Sequence, residues 1–272
     1  MTEPLRALVP RLHLFELLDQ DWYPRPLRDL ATDYLHTVGE RLGLFDAATE
    51  VLARGLGAAE TQEVLDLGSG GSGPLPRLCE RLKAERGLTP RVVLSDLYPN
   101  AHAAAKARAR GVEYLDRPVD ATRVPEDLRG LRTLFNTLHH FPPEQVRQVL
   151  ADAQARRVPF AAFEVLRRTP LGLLGVLPIP LGVWLLTPLI RPLTLSRLLL
   201  TYLVPVSPLA IFWDGLVSTL RIHSPEELRA LTASLPREEG YTWEVGEVRA
   251  PGKPAVSYVL GLPARALMPP AA

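Results

Sequence analysis

Cysteine, lysine and net charge are all scarce in this chain, and each scarcity excludes a class of protein. The single cysteine, Cys79, excludes an intrachain disulfide framework and a multi-cysteine metal site. Only Lys83, Lys106 and Lys253 are lysine, and 31 basic against 30 acidic residues leave a formal net charge of +1. This balance argues against nucleic-acid binding through bulk charge. One cysteine also fits a reducing compartment, so we expect a cytoplasmic protein with no nucleic-acid partner.

Targeting and metal-binding patterns are absent as well. The first 20 residues contain no uninterrupted apolar run and no small-residue cleavage site, so we expect no secretory signal. The six histidines are scattered, apart from His139 and His140, which are too close together to chelate from one face. We therefore expect no metal site.

Apolar runs alternate with helical patterns through the middle of the chain. The predicted strands are 63–67, 91–95, 112–115, 131–135 and 158–165, and the predicted helices are 72–86, 99–110 and a segment after Pro143. This alternation predicts a parallel sheet with helices on both faces. Two alternating runs, YTWEVGEV and AVSYVLGL, predict an antiparallel hairpin at the end. In front, Tyr34, Leu35, Val38, Leu42 and Phe45 recur at helical spacing after a break at Pro24 and Pro26.

A glycine-rich loop follows the first predicted strand. Gly68, Gly70 and Gly73 fit the dinucleotide fingerprint G-x-G-x-x-G, but they also fit a D-x-G-x-G pattern in which Asp66 precedes the first glycine by two residues. A carboxylate would repel a pyrophosphate, whereas it would attract the ammonium and sulfonium groups of S-adenosylmethionine. Asp66 therefore favours S-adenosylmethionine over NAD, and an NAD-dependent oxidoreductase is the alternative.

From Glu63 to about Glu164 the sequence resembles the class I S-adenosylmethionine-dependent methyltransferases. The resemblance implies a Rossmann-like fold and a cofactor site in which Asp96, with Leu97, binds the ribose hydroxyls after the second strand. It also implies that Asp120 and Ala121 lie near the adenine after the third strand, and that Asn136 opens the N-T-L-H-H-F segment after the fourth. The flanks, 19–29 and 213–221, are similar to an uncharacterised bacterial branch of these enzymes, which implies no substrate.

Three side chains are candidates for catalysis. His139 and His140 follow the fourth strand at the edge where ligands bind in such sheets, so one of them could be a general base, or both could line the cofactor. Glu164 ends the fifth strand at the same edge. It could orient a substrate amine or pair with Arg167 or Arg168.

Six residues outside the core are candidate substrate contacts. The aromatic residues Trp22, Tyr23 and Tyr34, with Arg28 nearby, could close over the pocket or pack as core. Asp214 and Arg221 are seven residues apart, so on a helix they share a face. They could clamp a polar substrate group or form a structural ion pair.

The stretch from Leu171 to Trp213 is almost uncharged, with Arg191 and Arg197 as its two charges. Residues 169–190 are long enough to be a membrane-span candidate, but prolines argue against a regular span. Three interpretations remain open: a soluble lid over an apolar substrate, an interfacial hairpin that dips into a bilayer, or a dimer contact. The arginines bordering the apolar runs, Arg167 and Arg168 included, favour an anionic membrane surface.

These observations predict a single α/β fold with four segments. We expect an N-terminal helical lid (1–60), a cofactor-binding core (61–168), an apolar cap (169–222), and a C-terminal helix and hairpin that complete the sheet (223–263). The predicted function is S-adenosylmethionine-dependent methyl transfer to a small, apolar or lipid-like acceptor, with peripheral membrane contact through 171–213. A catalytically inactive, membrane-associated cofactor-binding module is a further alternative.

Overall fold

The structure, a computed structural model, describes residues 9–59, 61–71, 73–99 and 101–264. The chain divides into two compact units. The helical unit comprises the residues up to 42 together with 166–224, and the sheet unit comprises 43–165 and the residues from 225 onward.

The sheet unit contains a seven-stranded sheet in the order β3-β2-β1-β4-β5-β7-β6. The strands are β1 (Glu63–Asp66), β2 (Arg91–Leu94), β3 (Glu113–Tyr114), β4 (Leu131–Phe135), β5 (Phe160–Glu164), β6 (Tyr241–Val248) and β7 (Val256–Pro263). Strands β1 to β5 pair with one another in parallel, and β7 runs antiparallel to both β5 and β6. The predicted fold class, a mostly parallel sheet closed by an antiparallel hairpin, is confirmed.

Ten α-helices accompany these strands in the described part of the chain. They are α1 (Arg25–Leu42), α2 (Thr49–Ala58), α3 (Leu75–Arg86), α4 (Ala101–Ala109), α5 (Pro143–Ala155), α6 (Pro170–Leu174), α7 (Ile179–Leu186), α8 (Leu195–Leu198), α9 (Val206–Arg221) and α10 (Pro225–Ala233). Short 3₁₀ segments lie at Asp46–Ala48, Leu138–His140 and Thr187–Leu189, and a π-helical turn spans Leu199–Leu203.

The sheet is buried on both faces, because neighbouring residues of β1 enter different cores. Val64 packs into a cluster with Leu52, Leu56 and Leu78, whereas Leu65 packs into one with Val146. Helix α2 belongs to the sheet unit because Leu52 and Leu56 are fully buried in the first cluster. The boundary between the units therefore lies at residue 42, and the predicted 1–60 segment is divided between them.

The helical unit has a core of its own. Leu30 and Tyr34 of α1 cluster with Val183 of α7, Ile190 and Ile211 of α9. The helix α1 begins at Arg25, within the predicted proline break. The apolar face predicted for it is only partly buried, since two of its members, Leu35 and Leu42, are exposed.

Two stretches of the helical unit are apolar enough, by length and composition, to count as membrane spans. One is the helical stretch Pro170–Leu189, and the other is the pair Leu195–Leu203 and Val206–Arg221, which is bent by 76°. The first coincides with the start of the nearly uncharged stretch Leu171–Trp213, and the second begins inside that stretch and continues beyond it to Arg221.

Candidate functional site

The loop after β1 requires glycine at its first position. Gly68, Gly70 and Gly73 have φ angles of 64°, 55° and 53°, in the left-handed region that residues with a side chain rarely adopt. A Cβ at Gly68 would lie 2.6 Å from Thr137 Cγ2, whereas a Cβ at Gly70 or Gly73 would meet no described atom within 4 Å. Gly68 is therefore packed against the protein, while Gly70 and Gly73 border open space that a ligand could fill.

The end of β2 supports this loop from one side. The Gly70 amide donates a hydrogen bond to Asp96 Oδ2 at 2.9 Å, and the Ser69 amide donates to the Ser95 carbonyl at 2.9 Å. Asp96 Oδ1 accepts from the Tyr98 amide at 2.9 Å. Burial raises the pKa of Asp96, while these backbone donors and the nearby His140 lower it. The carboxylate that was predicted to bind ribose thus lies directly beside the glycine loop.

The end of β4 supports the loop from the other side. Thr133 Oγ1 donates to Asp66 Oδ1 at 2.7 Å, and the Leu67 amide donates to the Thr133 carbonyl at 2.9 Å. The Asp66 side chain is buried, and burial raises its pKa to about 7 despite the hydrogen bonds from Thr133 and Ser69. Asp66 therefore lies beneath the loop, where its charge state changes near neutral pH.

Two supporting residues were missed in the sequence. Thr133 lies in β4 and Ser95 directly follows β2, and both of these polar residues are fully buried. A hydroxyl in such a position needs a partner, since an unpaired buried hydroxyl is costly. The need for a partner was the feature of the sequence that could have identified these residues. Thr133 donates to the Asp66 side chain, and Ser95 donates to the Asp66 carbonyl.

The remaining predicted cofactor residues follow β2, β3 and β4. Leu97 is exposed beside Asp96, Asp120 is exposed, and Ala121 is buried. Asp120 Oδ1 accepts from both the amide and the hydroxyl of Thr122, at 2.8 and 2.7 Å. Asn136 has a φ of 46°, and its Oδ1 accepts from the Val165 amide at 3.0 Å. Asn136 thereby connects the carboxyl ends of β4 and β5.

His139 and Glu164 form a buried pair. The Glu164 carboxylate accepts from the His139 amide at 3.1 Å, and its second oxygen lies 2.9 Å from His139 Nδ1. Both side chains are buried, and the ring of His140 stacks on that of His139 with centroids 4.4 Å apart. Neither sequence interpretation of Glu164, which were that it orients a substrate amine or pairs with Arg167 or Arg168, included His139 as a partner. A carboxylate acceptor fixes the proton of a neutral imidazole on Nδ1 and leaves the lone pair on Nε2.

Asp214 and Arg221 lie on α9, and both side chains bind the segment before α1. Asp214 accepts from the amides of Leu17 and Leu18 at 2.6 and 3.1 Å. Arg221 donates to the Leu14 carbonyl and forms ion pairs with Glu16 and Asp19. The two residues share a helix as expected, but their polar atoms hold this segment and do not form a pair. These contacts favour a structural role for Asp214 and Arg221, and the substrate clamp stays a prediction.

The other predicted substrate residues also lie in the helical unit. Trp22 is 68% exposed, and its ring meets the buried Tyr23 edge-on. Arg28 stacks over the Tyr23 ring and donates to the carbonyls of Leu18 and Gln20. Tyr34 is buried, as the core interpretation expected. Of this group, Trp22 is the residue left with a largely exposed side chain.

Cys79 of α3 has no chemical role that the structure supports. It is a free, half-buried thiol, and burial raises its pKa to about 11. A thiol with so high a pKa is a poor nucleophile at neutral pH.

Comparison with known proteins identifies the fold. No family model and no curated protein sequence matches the chain. Among solved structures, it is similar to the plantazolicin methyltransferase BpumL in complex with SAH, with a TM-score of 0.55 and 11% identity over 91% of this chain and 94% of that one. It is also similar to the CMeT domain of the citrinin polyketide synthase, with a TM-score of 0.54 and 12% identity over 91% of this chain and 59% of that one. The chain therefore has the fold of the class I S-adenosylmethionine-dependent methyltransferases.

Proposed function

We propose that the protein transfers a methyl group from S-adenosylmethionine to a small, mainly apolar acceptor. The observation that carries this proposal is the hydrogen bond from the Gly70 amide to Asp96 Oδ2, which places an acceptor-only carboxylate beside an open glycine loop. The loop and Asp96 follow β1 and β2, and β1 lies next to β4 where the strand order reverses. This switch point is where open α/β sheets bind their ligands.

The residues fit an adenosyl cofactor in their chemistry. Asp96 offers carboxylate oxygens to two ribose hydroxyl donors, and the bare backbone at Gly70 and Gly73 leaves room for close approach. Asp66 beneath the loop adds negative charge near neutral pH. When bound, the cofactor supplies an activated methyl group on a sulfonium. The relatives named above are themselves methyltransferases, which supports the same activity here.

His139 is the proposed general base. Glu164 holds the proton on Nδ1 and leaves the lone pair of the imidazole on Nε2, the atom that would take a proton from the acceptor hydroxyl or amine. The carboxylate also stabilises the imidazolium that results. Since both residues are buried, the proton is held away from bulk water.

The NAD alternative has less support from this sheet. The usual dinucleotide-binding fold orders six strands 3-2-1-4-5-6 in parallel, whereas here the antiparallel β7 lies between β5 and β6. Asp66 before the glycines is a second difference, because a carboxylate at that position would disfavour a pyrophosphate.

The helical unit supports the apolar character of the acceptor. Its second segment begins at Leu166, directly after β5 and Glu164, and this segment exposes many leucine side chains between Leu171 and Leu209. We place the enzyme in the cytoplasm, with peripheral membrane contact through 171–213, where a lipid or another hydrophobic metabolite would be the acceptor.

Calorimetry and a turnover assay test this function. We expect purified protein to bind S-adenosylhomocysteine in preference to NAD, and to release S-adenosylhomocysteine from S-adenosylmethionine with hydrophobic hydroxylated or amino acceptors. Asp96→Ala serves as the control that should lose binding. Preferential NAD binding would refute the proposal. Cofactor binding without turnover on hydrophobic acceptors would instead identify the inactive module.

A further inference from the structure

The helical unit exposes large apolar side chains far more than the sheet unit does. Of those exposed in the described part of the chain, 15 lie between Leu171 and Leu209, and only Leu97 and Tyr98 lie in the sheet unit. We call this set of exposed side chains between Leu171 and Leu209 the leucine face. Exposed apolar surface of this extent on a protein marks an interaction site.

The leucine face has the spacing of one side of a helix. Along Pro170–Leu189, Leu174, Leu177, Leu181 and Leu185 are 57–66% exposed, whereas Val183 is fully buried in the core of the unit. A surface helix of a soluble protein puts polar residues on its outer side. This stretch has leucine on the outer side and valine on the inner side, so the helix surface is apolar on both sides.

The polar side chains between Leu171 and Leu189 are already hydrogen-bonded within the unit. Between Leu171 and Leu189 the polar side chains are Trp184 and Thr187. Trp184 Nε1 donates to the Thr201 carbonyl at 3.0 Å, and Thr187 Oγ1 donates to the Val183 carbonyl at 2.7 Å. The hydroxyl of Tyr202 donates to the Trp184 carbonyl at 2.7 Å. A protein–protein interface contains roughly one hydrogen bond per 100–200 Å². This stretch offers no side chain that could make such hydrogen bonds to a protein partner.

The charge pattern favours phospholipid as the occupant. Between Glu164 and Asp214 the sequence contains no aspartate or glutamate, and the exposed Arg191 separates the two apolar runs. A surface without acidic groups is not repelled by the negative surface of a membrane, and an arginine beside it is attracted. Two half-exposed aromatic residues, Trp184 and Tyr202, are of the types enriched at the boundary between membrane and water.

The packing of the same helices argues against a membrane crossing. The inner side of Pro170–Leu189 is packed in the core of the unit through Val183, next to Leu30 and Ile211. The second apolar pair is bent by 76° between Leu203 and Val206. A helix with one side fixed to protein and the other side apolar lies in the plane of the interface.

We infer that the leucine face is a monotopic membrane-binding surface that inserts its leucines into one leaflet of a phospholipid bilayer. This inference rests on the peripheral contact in the proposed function and names the side chains that make it. It does not depend on catalysis, since the surface is formed by the helical unit alone.

Liposome flotation of the purified full-length protein tests the inference, with no cofactor or acceptor present. We expect the protein to float with phosphatidylcholine vesicles, and more completely when phosphatidylglycerol is included. The variant L181E/L185E/L203E replaces three exposed leucines and should reduce the vesicle-bound fraction at least about tenfold. The matched variant L181M/L185M/L203M keeps these positions apolar and should float like the original protein.

Circular dichroism melting and light scattering complete the test. Both variants should melt within a few degrees of the original, because the three leucines are 57–73% exposed. Failure of the original protein to float, or equal flotation of the glutamate variant, would overturn the inference. A dimer that does not float and that the glutamate variant dissociates would assign the surface to a second copy and would also overturn it. Methyl transfer is measured separately, so its failure would leave these results interpretable.

Discussion

The Nδ1 atom of His139 lies 2.9 Å from Glu164 Oε2, although 25 residues separate the two in sequence. His139 follows β4 and Glu164 ends β5, so the parallel pairing of these strands brings them together. A buried carboxylate at this distance fixes the tautomer of the ring and distinguishes His139 from the adjacent His140. The pair therefore favours His139 over His140 as the general base.

Replacing His139 by alanine should lower kcat by about 10²–10⁴ while the affinity for S-adenosylhomocysteine stays unchanged, because a base acts on the acceptor's proton. Glu164→Gln should also lower kcat, since an amide no longer favours the required tautomer or the imidazolium. Steady-state kinetics with a hydrophobic acceptor, together with calorimetry, measure both effects.

His140→Ala is the matched control for this prediction. The His140 ring stacks on His139, and its loss should change kcat less than about tenfold. The limb of the pH–rate profile that reports protonation of the base should disappear in His139→Ala and persist in His140→Ala. Near-normal turnover of His139→Ala would show that the transfer needs no histidine.

Asp96→Ala should weaken binding of S-adenosylhomocysteine by about 10- to 150-fold, equivalent to about 1.5–3 kcal/mol for hydrogen bonds to a charged group. The variant also removes the acceptor for the Gly70 amide and so loosens the glycine loop. Titration calorimetry measures the change, and Thr122→Ala, which lies after β3 next to Asp120, should change affinity much less. Equal affinity of Asp96→Ala and the original protein would refute the ribose assignment.

Arg221→Met should destabilise the protein by about 3–5 kcal/mol, because it removes the guanidinium that forms an ion pair with the buried Glu16. Urea unfolding measures this loss, and limited proteolysis should show faster cleavage between residues 11 and 20. Arg25→Met is the control, because Arg25 is largely exposed and its ion pair with Asp29 is 3.9 Å long. An Arg221→Met variant with normal stability and a raised KM would support the substrate-clamp interpretation.

The sequence was sufficient to predict the sheet and the glycine loop, because both depend on local patterns. Continuous apolar runs marked the parallel strands, and alternation marked the hairpin of β6 and β7. Contacts between distant segments left no such pattern. The partners of Asp66 and Glu164 come from neighbouring strands, and the register that joins them arises only when the sheet forms.

The division of the chain was also beyond the sequence. Helix α2 was predicted in the same N-terminal segment as α1, yet Leu52 and Leu56 of α2 are buried in the core of the sheet unit. Helix α1 is joined instead with a segment more than 100 residues away, through Leu30 and Tyr34. Periodicity identifies an apolar face, as it did for α1, but it does not identify what covers that face. For the same reason, periodicity could not predict that Leu35 and Leu42 are exposed.

Asp66 gives the stability of the protein a distinctive dependence on pH. Burial raises its pKa from 3.8 to about 7 in the folded state, so the folded state binds this proton more tightly than the unfolded chain. The contribution of the protonated group is fully present below about pH 4 and is lost as pH rises toward 7. This shift of about 3 pH units corresponds to at most about 4 kcal/mol. Asp66→Asn has no carboxyl group to ionise at this position and should not lose this stability. The free energy of unfolding of the variant, measured in urea, should therefore rise relative to that of the original protein between pH 4 and 7.

Cofactor binding should reverse this preference for the protonated form. A ligand that places its ammonium group above the glycine loop favours the ionised carboxylate, so binding of S-adenosylhomocysteine should release a proton from Asp66 at pH 6. Calorimetry in two buffers of different ionisation enthalpy measures the number of protons released, and Asp66→Asn should release none from this site. Binding with the same proton release in both proteins would show that Asp66 does not sense the cofactor's charge. Its role would then be confined to supporting the loop through Thr133.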